Sequence, residues 1–243
     1  MTDTAVPKIS ALVLSWNELD VVRKSVNRLK KEPIEVWVVD NGSTDGTQEW
    51  LKKQKGINVI QLPKNMGACV ARNRVIERFS GDYLLMLDSD ILYIPKSAFG
   101  LYEILVKLPK NAYCLGIHNE RWDGTQDISE ADKEWVGAGR VLNNFAIAWT
   151  QYGLFKGDLI RKYKFPEYGI WGKAGYGYED DYLNALMEKH GYVSYHCTKP
   201  LYYHKAHTTK RSGIKTHEAE RREELYKRFP DYVHWTIRRR IQT

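Results

Sequence analysis

Two aspartates separated by one serine follow a short apolar run and are the residues best suited to hold a metal ion. The run covers residues 84–87, and the acids are Asp88 and Asp90. Because side chains alternate along a strand, both carboxylates lie on one face if strand geometry continues past residue 87. Such hard oxygen ligands suit Mg²⁺ or Mn²⁺, which can bridge to a diphosphate. An isolated Asp-Ser-Asp also fits a solvated turn, so the neighbouring elements decide its role.

The elements before this pair predict a sheet that brings other polar residues to the same edge. Apolar runs predict strands at residues 9–15, 34–40, 57–62 and 82–87. The segments between them predict helices at residues 19–29, 47–53 and 68–79. This alternation is typical of a parallel sheet with right-handed crossovers and helices on both faces. Ligands of such sheets bind outside the carboxyl ends of the strands, where residues 15–18, Asp40 and residues 88–90 all lie.

The second half of the chain has a less regular pattern. Strands are predicted at residues 112–117, 140–148, 153–156, 192–196 and 201–204, the second and third of them antiparallel. Helices are predicted at residues 98–108, 179–189 and 218–229. Residues 118–135 show no assignable pattern, and residues 170–178 are a loop rich in glycine and aromatic residues.

Composition bounds the class of protein. The 243 residues are 43% hydrophobic and 28% charged, with no apolar run near the ~20 residues that span a bilayer. The first eight residues resemble no secretory signal, and three scattered cysteines predict buried free thiols in a reducing compartment. We therefore expect a cytoplasmic protein. The net charge of +7 is concentrated after residue 199, where basic clusters predict either a solvated helix face or contact with a phosphorylated substrate, an anionic membrane or nucleic acid.

Five motifs in order resemble those of inverting, GT-A-fold nucleotide-sugar glycosyltransferases of the family-two type. They lie at residues 12–18 (LVLSWNE), 38–47 (VVDNGSTDGT), 65–73 (NMGACVARN), 88–90 (DSD) and 179–181 (EDD). The second is the most specific. The resemblance implies an α/β, GT-A (Rossmann-like), mostly parallel twisted sheet with helices on both faces, an acceptor-side half and a C-terminal helix. It also implies metal-dependent, inverting transfer of a sugar from a nucleotide-diphosphate sugar, with a UDP-sugar expected, to a hydroxyl of a glycan or glycolipid.

The resemblance divides the chain by function. Residues 1–110 form the nucleotide-sugar-binding half, residues 111–215 the acceptor-binding half with the catalytic base, and residues 216–243 a basic C-terminal helix and tail. The implied nucleotide-binding residues are Ser15, Trp16, Asn17, Glu18, Asp40, Asn65, Arg72, Asp88 and Ser89. Asp40 would accept a hydrogen bond from a ring N–H of the base, which favours uracil but also fits guanine or thymine. The alternatives are that Asp40 only caps the following turn and that Arg72 lies on an exposed helical face.

For the metal, the resemblance implies Asp90 as the direct ligand to Mn²⁺ or Mg²⁺, with Asp88 as a second ligand or a contact to ribose. The ion would neutralise the departing diphosphate. A histidine downstream often completes such a site. His204 is our choice because it follows a predicted strand, His207 is the reserve, and a structural role is the alternative for either.

Residues 175–181 resemble the segment that carries the general base in inverting enzymes. The resemblance implies that Asp180 deprotonates the acceptor hydroxyl and that Glu179 binds an acceptor hydroxyl. Tyr176, Trp171 and Asp181 complete the predicted acceptor side, with Tyr176 standing where a tryptophan is common. Helix capping by the acids is the alternative. Small residues at 171–175 also suggest a mobile lid over the bound donor.

Three other functions compete with this interpretation. A glycosyltransferase that acts on modified DNA bases would use the basic C-terminus and nearby aromatic rings. A nucleotidyltransferase would normally have a Gly-rich basic loop after the first strand, which residues 15–18 lack. A non-catalytic sugar-binding module would be expected to have lost the acids at positions 90 or 180, and both are present. Peripheral contact of the basic C-terminus with an anionic membrane is compatible with the glycolipid acceptor.

Overall fold

The first four strands are parallel and alternate with helices. The computed structural model describes residues 6–122, 141–143, 151–174, 177–205 and 217–233, with side chains for all of these but 118–122, 142–143 and 198–205. The strands are β1 (Ile9–Ser15), β2 (Glu35–Asp40), β3 (Asn58–Gln61) and β4 (Tyr83–Leu87). The helices between them are α1 (Leu19–Leu29), α2 (Thr47–Lys52) and α3 (Ala68–Ile76). β1 pairs with β2 on one side and with β4 on the other, and β3 pairs with β2.

The remaining strands extend the same sheet. They are β5 (Ala112–Trp122), β6 (Val141–Asn143), β7 (Tyr152–Lys156) and β8 (Val193–Lys205). The helices are α4 (Ser97–Leu105), α5 (Gly157–Lys162), α6 (Glu179–Lys189) and α7 (Glu218–Arg228), and Gly169–Gly172 is a 3-10 helix. The strand order is β3-β2-β1-β4-β7-β5-β8-β6. β7 is antiparallel to its neighbours β4 and β5, and β6 is antiparallel to β8, so all other strands run in the direction of β4.

This topology places the carboxyl ends of the parallel strands at one edge of the sheet. Ser15 pairs with Asp40, and Val13 pairs with Leu87, so β1, β2 and β4 end at nearly the same level. Gly116 of β5 and Met86 of β4 both pair with Gly153 of β7, so β5 continues past the end of β4, and β8 pairs with it as far as Trp122. The edge formed by the carboxyl ends of β1, β2 and β4 is called the rim below.

Alternating apolar side chains of the central strands bury both faces of the sheet. Ala11 and Val13 of β1 pack with α1 and α4 on one face, whereas Leu12 packs with α3, α5 and α6 on the other. Each fully buried aliphatic side chain contributes about 1.5–3 kcal/mol, so the two layers hold the sheet between the helices. A smaller third cluster joins the 3-10 helix, α6 and α7 through Trp171, Tyr182, Ala185, Leu225, Phe229 and Tyr232.

The predicted α/β fold with a mostly parallel sheet is confirmed, and the predicted bounds of β1, α1 and α6 agree with the structure. Three element predictions were wrong. The strand predicted at 112–117 continues to Trp122, the strands predicted at 192–196 and 201–204 are one strand, and α5 was not predicted. Of the strand predicted at 140–148, the described part is β6. One sheet crosses the boundary proposed at residues 110 and 111, so the functional division stays a prediction.

Two expectations from composition concern the whole chain. All three cysteines are buried free thiols, as predicted. Across the described residues, every helix is too short or too polar to traverse a bilayer.

Candidate active site at the rim of the sheet

The loops after β1 and β2 are tied together by side-chain hydrogen bonds. Asn17 adopts a left-handed backbone conformation with φ of 53°, and its backbone N–H donates to Ser43 Oγ over 3.0 Å. The backbone N–H of Thr44 donates to Asn17 Oδ1 over 2.7 Å. Asp45 accepts from the backbone N–H of Leu19 over 2.9 Å. These bonds hold the two loops as one wall beside the rim, so Asn17 has a structural role in addition to its predicted contact with nucleotide.

Asp40 and Ser15 stand side by side at the ends of β2 and β1. Asp40 Oδ2 accepts from the backbone N–H of Ser43 over 3.0 Å, which is the turn-capping role that the sequence left open. The other carboxylate oxygen, Oδ1, and Ser15 Oγ are buried without a hydrogen-bond partner among the described residues. Paired residues of neighbouring parallel strands point to the same face, so these two polar atoms share one side of the sheet. A buried oxygen without a partner is costly, and a ligand N–H would satisfy it.

Asn65 braces the start of α3. Its Oδ1 accepts from Asn41 Nδ2 over 3.1 Å and from the backbone N–H of Gly67 over 2.9 Å. Asn41 Oδ1 in turn accepts from the backbone N–H of Met66 over 2.8 Å. Asn65 therefore lies at the predicted place beside the loop after β2, where its side-chain oxygen binds protein groups.

The acids after β4 differ in exposure. The Asp88 side chain is 24% exposed, whereas Ser89 and Asp90 are buried. Burial raises the pKa of the Asp88 carboxyl; Arg72 opposes this shift, and the nearby Asp90 adds to it. Both acids lie where β4 ends, so they have the oxygen donors and the position that a metal beside a diphosphate requires.

Arg72 is the cation at the centre of the site, and the interpretation of it as an exposed helical residue is wrong. Its side chain is 2% exposed. Nη2 donates to Asp88 Oδ1 over 2.7 Å, and Nη1 lies 3.9 Å from Glu179 Oε1. Burial alone would lower the pKa of Arg72, but the charges of Asp88, Asp180 and Glu179 raise it above its usual value. Its Nε and Nη1 have no hydrogen-bond partner among the described residues, so this cation retains donors for an anionic ligand.

The acids of α6 are presented by a tight backbone turn. Gly177 and Tyr178 both have positive φ, at 117° and 60°, immediately before the helix. Such a conformation is costly for tyrosine and marks a segment held in place by its surroundings. Glu179 Oε2 accepts from the backbone N–H of Gly177 over 2.6 Å. Asp180 is half-buried, and its charge contributes to the raised pKa of Arg72, so the acids of α6 and the acids after β4 share one cation.

Two of the three predicted acceptor residues, Trp171 and Asp181, lie deeper than an acceptor surface requires, so their prediction as acceptor contacts is wrong. Trp171 is fully buried, with its ring 5.1 Å from that of Tyr182. Asp181 is buried and accepts from the hydroxyl of Tyr232 over 2.9 Å. Both belong to the packing between α6 and α7, whereas Tyr176 lies outside the described residues.

Of the two histidines predicted as metal ligands, the structure describes only the backbone of His204. The backbone of His204 pairs with that of Arg121 near the end of β8, past the rim. This is the same end of the sheet at which Asp88 and Asp90 follow β4. The side chain of His204 and the whole of His207 lie outside the described residues. Among the described side chains, no three acids, histidines or cysteines form a ready metal cage. Mg²⁺ and Mn²⁺ sites that include substrate phosphates need only one or two carboxylates, so Asp88 and Asp90 fit such an ion.

A further buried arginine, which is not predicted from the sequence, reaches this site from α7. Arg221 is 1% exposed and lies 3.4 Å from Glu179 Oε2 through Nη1. It also donates to the backbone oxygens of Lys173 and Gly177 over 3.2 and 3.3 Å. Lys173 belongs to the segment predicted to be a lid, and its oxygen packs against Gly67 at the start of α3. Helical spacing offers a signal, because Arg221 stands four residues before Leu225 and eight before Phe229, both buried, whereas the exposed Arg222 lies outside that row.

Comparison with known proteins finds a family model that matches most of the chain. The model of the family described as Glycosyl transferase family 2 matches residues 10–176. Over 91 residues the chain is 37% identical to a putative teichuronic acid biosynthesis glycosyltransferase, TuaG, of Bacillus subtilis, an alignment that covers 35% of this chain and 36% of TuaG. It is 25% identical over 218 residues to an uncharacterized glycosyltransferase of Haemophilus influenzae, which covers 86% and 71% of the two chains. TuaG is thus matched over about a third of its length.

Solved structures share the fold. Residues 1–349 of S. aureus TarS in complex with UDP-GlcNAc superpose with a TM-score of 0.67 at 19% identity, covering 91% of this chain and 65% of that one. The mannosyltransferase PcManGT of Pyrobaculum calidifontis, in complex with GDP-Man and Mn²⁺, gives a TM-score of 0.57 at 18% identity and covers 86% and 59%.

Proposed function

The chain belongs to glycosyl transferase family 2, and from this premise we propose that it transfers a sugar from a nucleotide-diphosphate sugar to a hydroxyl group, with a divalent metal and with inversion. The observation that carries the proposal is the charged cluster at the rim. There Arg72 lies 2.7 Å from Asp88 and 3.9 Å from Glu179, which joins the acids after β4 to those of α6. Residues 88 and 179 are far apart in sequence, so only the fold brings a donor-side and an acceptor-side acid to one cation.

The wall beside Ser15 and Asp40 is the proposed site of the nucleoside. The unpaired Asp40 Oδ1 suits a ring N–H, and uracil offers one at N3. TarS and PcManGT were solved with UDP-GlcNAc and GDP-Man, which shows that uracil and guanine both occur on this fold. We infer a UDP-sugar as donor. Trp16, Asn17 and Glu18 would flank the base, and Ser89 and Asp88 would face the ribose.

Asp90 and Asp88 would hold Mn²⁺ or Mg²⁺, with His204 as the proposed third ligand. The ion would act as a Lewis acid that neutralises charge on the departing diphosphate. Arg72 supports the same task from the protein side, because its unpaired Nε and Nη1 are preorganised donors in a site of low dielectric.

Asp180 is the proposed general base. Glu179 is held by Gly177 N–H and by two arginines, so its carboxylate is positioned to bind and orient a hydroxyl group. Asp180 is the next residue of α6 and is half-buried beside the same cluster. It would remove the proton from the acceptor hydroxyl as that oxygen attacks the anomeric carbon and the diphosphate leaves from the opposite face. A glycan or glycolipid is the proposed acceptor, with the protein in the cytoplasm and able to contact an anionic membrane through its basic C-terminus.

A nucleotide-sugar panel with Mn²⁺ tests the proposal. Wild-type protein is assayed with UDP-, GDP-, TDP- and CMP-sugars for binding and for slow hydrolysis of the donor. We expect one UDP-sugar to stand out and EDTA to abolish the signal. Asp180→Asn should lower transfer by about 10²–10⁴-fold and leave donor affinity within about threefold. Asp158→Asn is the matched control, since Asp158 is an exposed acid in the first turn of α5. A folded protein silent with every donor, or an unimpaired Asp180→Asn, would refute the proposal.

A further inference from the structure

Helix α7 contributes one buried charge to the site. Arg221 is fully buried, whereas the adjacent residues Arg222 and Glu223 are exposed. A buried guanidinium is expensive unless its donors are paired, and this one faces Glu179 and two backbone oxygens. The family match ends at residue 176, so this arginine lies beyond the part of the chain that the family model covers.

The contacts of Arg221 determine how Glu179 is oriented. Glu179 Oε2 receives the N–H of Gly177 over 2.6 Å and Arg221 Nη1 over 3.4 Å. Glu179 Oε1 then points to Arg72, whose Nη1 lies 3.9 Å away. The carboxylate is therefore held between two buried guanidinium groups, one from α3 and one from α7, and each oxygen faces a different one.

Arg221 also holds the backbone that leads into α6. Its two terminal nitrogens donate to the oxygens of Lys173 and Gly177, on either side of residues 175 and 176. The guanidinium lies over the ring of Trp171, 5.5 Å from the centroid, and this cation–π contact adds to what holds it in place. Gly177 itself packs against Glu218 in the first turn of α7, where a Cβ would come within 2.7 Å of Glu218 Cγ. One helix thus fixes both ends of the turn that presents the α6 acids.

We propose that Arg221 is a positioning residue for sugar transfer, acting through Glu179 to place the first turn of α6 against the acceptor. This inference rests on the proposed function. It assigns to α7 a part in turnover and none in binding the nucleotide. Among the described residues, the hydrogen bonds of Arg221 go to Lys173, Gly177 and Glu179, and none of these belongs to the acids after β4 or to the loops after β1 and β2. A misplacement of reacting groups by about 1 Å can cost about 10²-fold in rate, so the effect belongs in kcat and in the KM for acceptor.

The test compares Arg221→Met with Arg222→Met, its exposed neighbour on the same helix. Kinetics with the donor found for wild type are measured together with donor affinity and a thermal unfolding curve. We expect Arg221→Met to lose about 10²-fold in kcat with donor affinity within about threefold, and Arg222→Met to match wild type. Arg221→Lys keeps the charge without the planar fork and should fall between them. Equal loss in both Met variants, or a loss confined to donor affinity, would overturn the inference.

A double-mutant cycle with Glu179→Gln separates positioning from mere stability. If Arg221 acts through Glu179, Arg221→Met should cost much less in the Glu179→Gln background than in wild type. Losses that simply multiply would overturn the inference. Should Arg221→Met fail to fold, Arg221→Lys carries the same cycle. Failure of this inference differs from failure of the proposed function, since wild type would then still be an active transferase.

Discussion

Replacing Arg72 by methionine tests whether burial gives this arginine its importance. Helix α3 carries two arginines with similar ion pairs: Arg72 lies 2.7 Å from Asp88, and Arg74 lies 2.9 Å from Glu167. Their side chains are 2% and 34% exposed, respectively. Methionine keeps most of the aliphatic packing of arginine, so Arg72→Met and Arg74→Met differ mainly in the environment of the carboxylate that each leaves behind.

The expected cost follows from that difference. Removing one partner of a buried ion pair costs about 3–5 kcal/mol, because the other charge stays desolvated and unpaired. Asp88 is 24% exposed and can recover part of its hydration, so we expect about 3 kcal/mol for Arg72→Met, at the lower end of that range. An exposed pair is worth about 0–1 kcal/mol, which is the expectation for Arg74→Met. In a chain of this length these values correspond to a fall in Tm of about 6–12 °C against at most about 4 °C.

Urea unfolding at pH 7, followed by fluorescence and checked for reversibility, measures both variants. The double variant Arg72→Met/Asp88→Asn should recover at least about half of the loss, because it removes the unpaired charge together with its partner. The reasoning would be refuted by equal losses in Arg72→Met and Arg74→Met. It would also be refuted by a double variant as unstable as the sum of its parts.

Three further predictions address the metal, the backbone and the thiols. EDTA should abolish turnover, and Mn²⁺ or Mg²⁺ should restore it. Asp90→Asn should raise the metal concentration needed for turnover by at least about tenfold. Asp20→Asn, which changes an exposed acid of α1, should leave that concentration unchanged. Gly67→Ala should lower the unfolding free energy by at least about 2 kcal/mol, because Gly67 has φ of 89° and an added Cβ would lie 2.7 Å from Lys173 O. The control is Gly56→Ala in the same urea assay. Gly56 has φ of 75° but stands in open space, so this variant should lose only about 1 kcal/mol. Burial raises the pKa of all three cysteine thiols, that of Cys197 to about 12. Ellman's reagent at pH 8 should therefore label no thiol in the native state and all three after unfolding. A thiol that reacts before unfolding would contradict this prediction.

The elements that the sequence predicted well are those defined by local pattern. The bounds of β1 follow from a short, mostly apolar run, and those of α6 from an apolar spacing that begins at three acids. β8 was split in two because Pro200 interrupts its apolar pattern. In the structure Pro200 pairs with His118 at an irregularity of the ladder, where a missing N–H is tolerated. α5 has six residues, too few for a helical period to be visible.

The sequence by itself determined which acids stand at strand ends and the family to which the chain belongs, because both depend on short contiguous motifs. Only the tertiary structure decided which charges meet. It buries Arg72 between Asp88 and Glu179, brings Arg221 to the far side of Glu179, and directs Asp181 to Tyr232 in the packing of α7. The energy of a charge pair depends on separation and on exposure to water, and neither quantity is encoded in the spacing of residues along the chain.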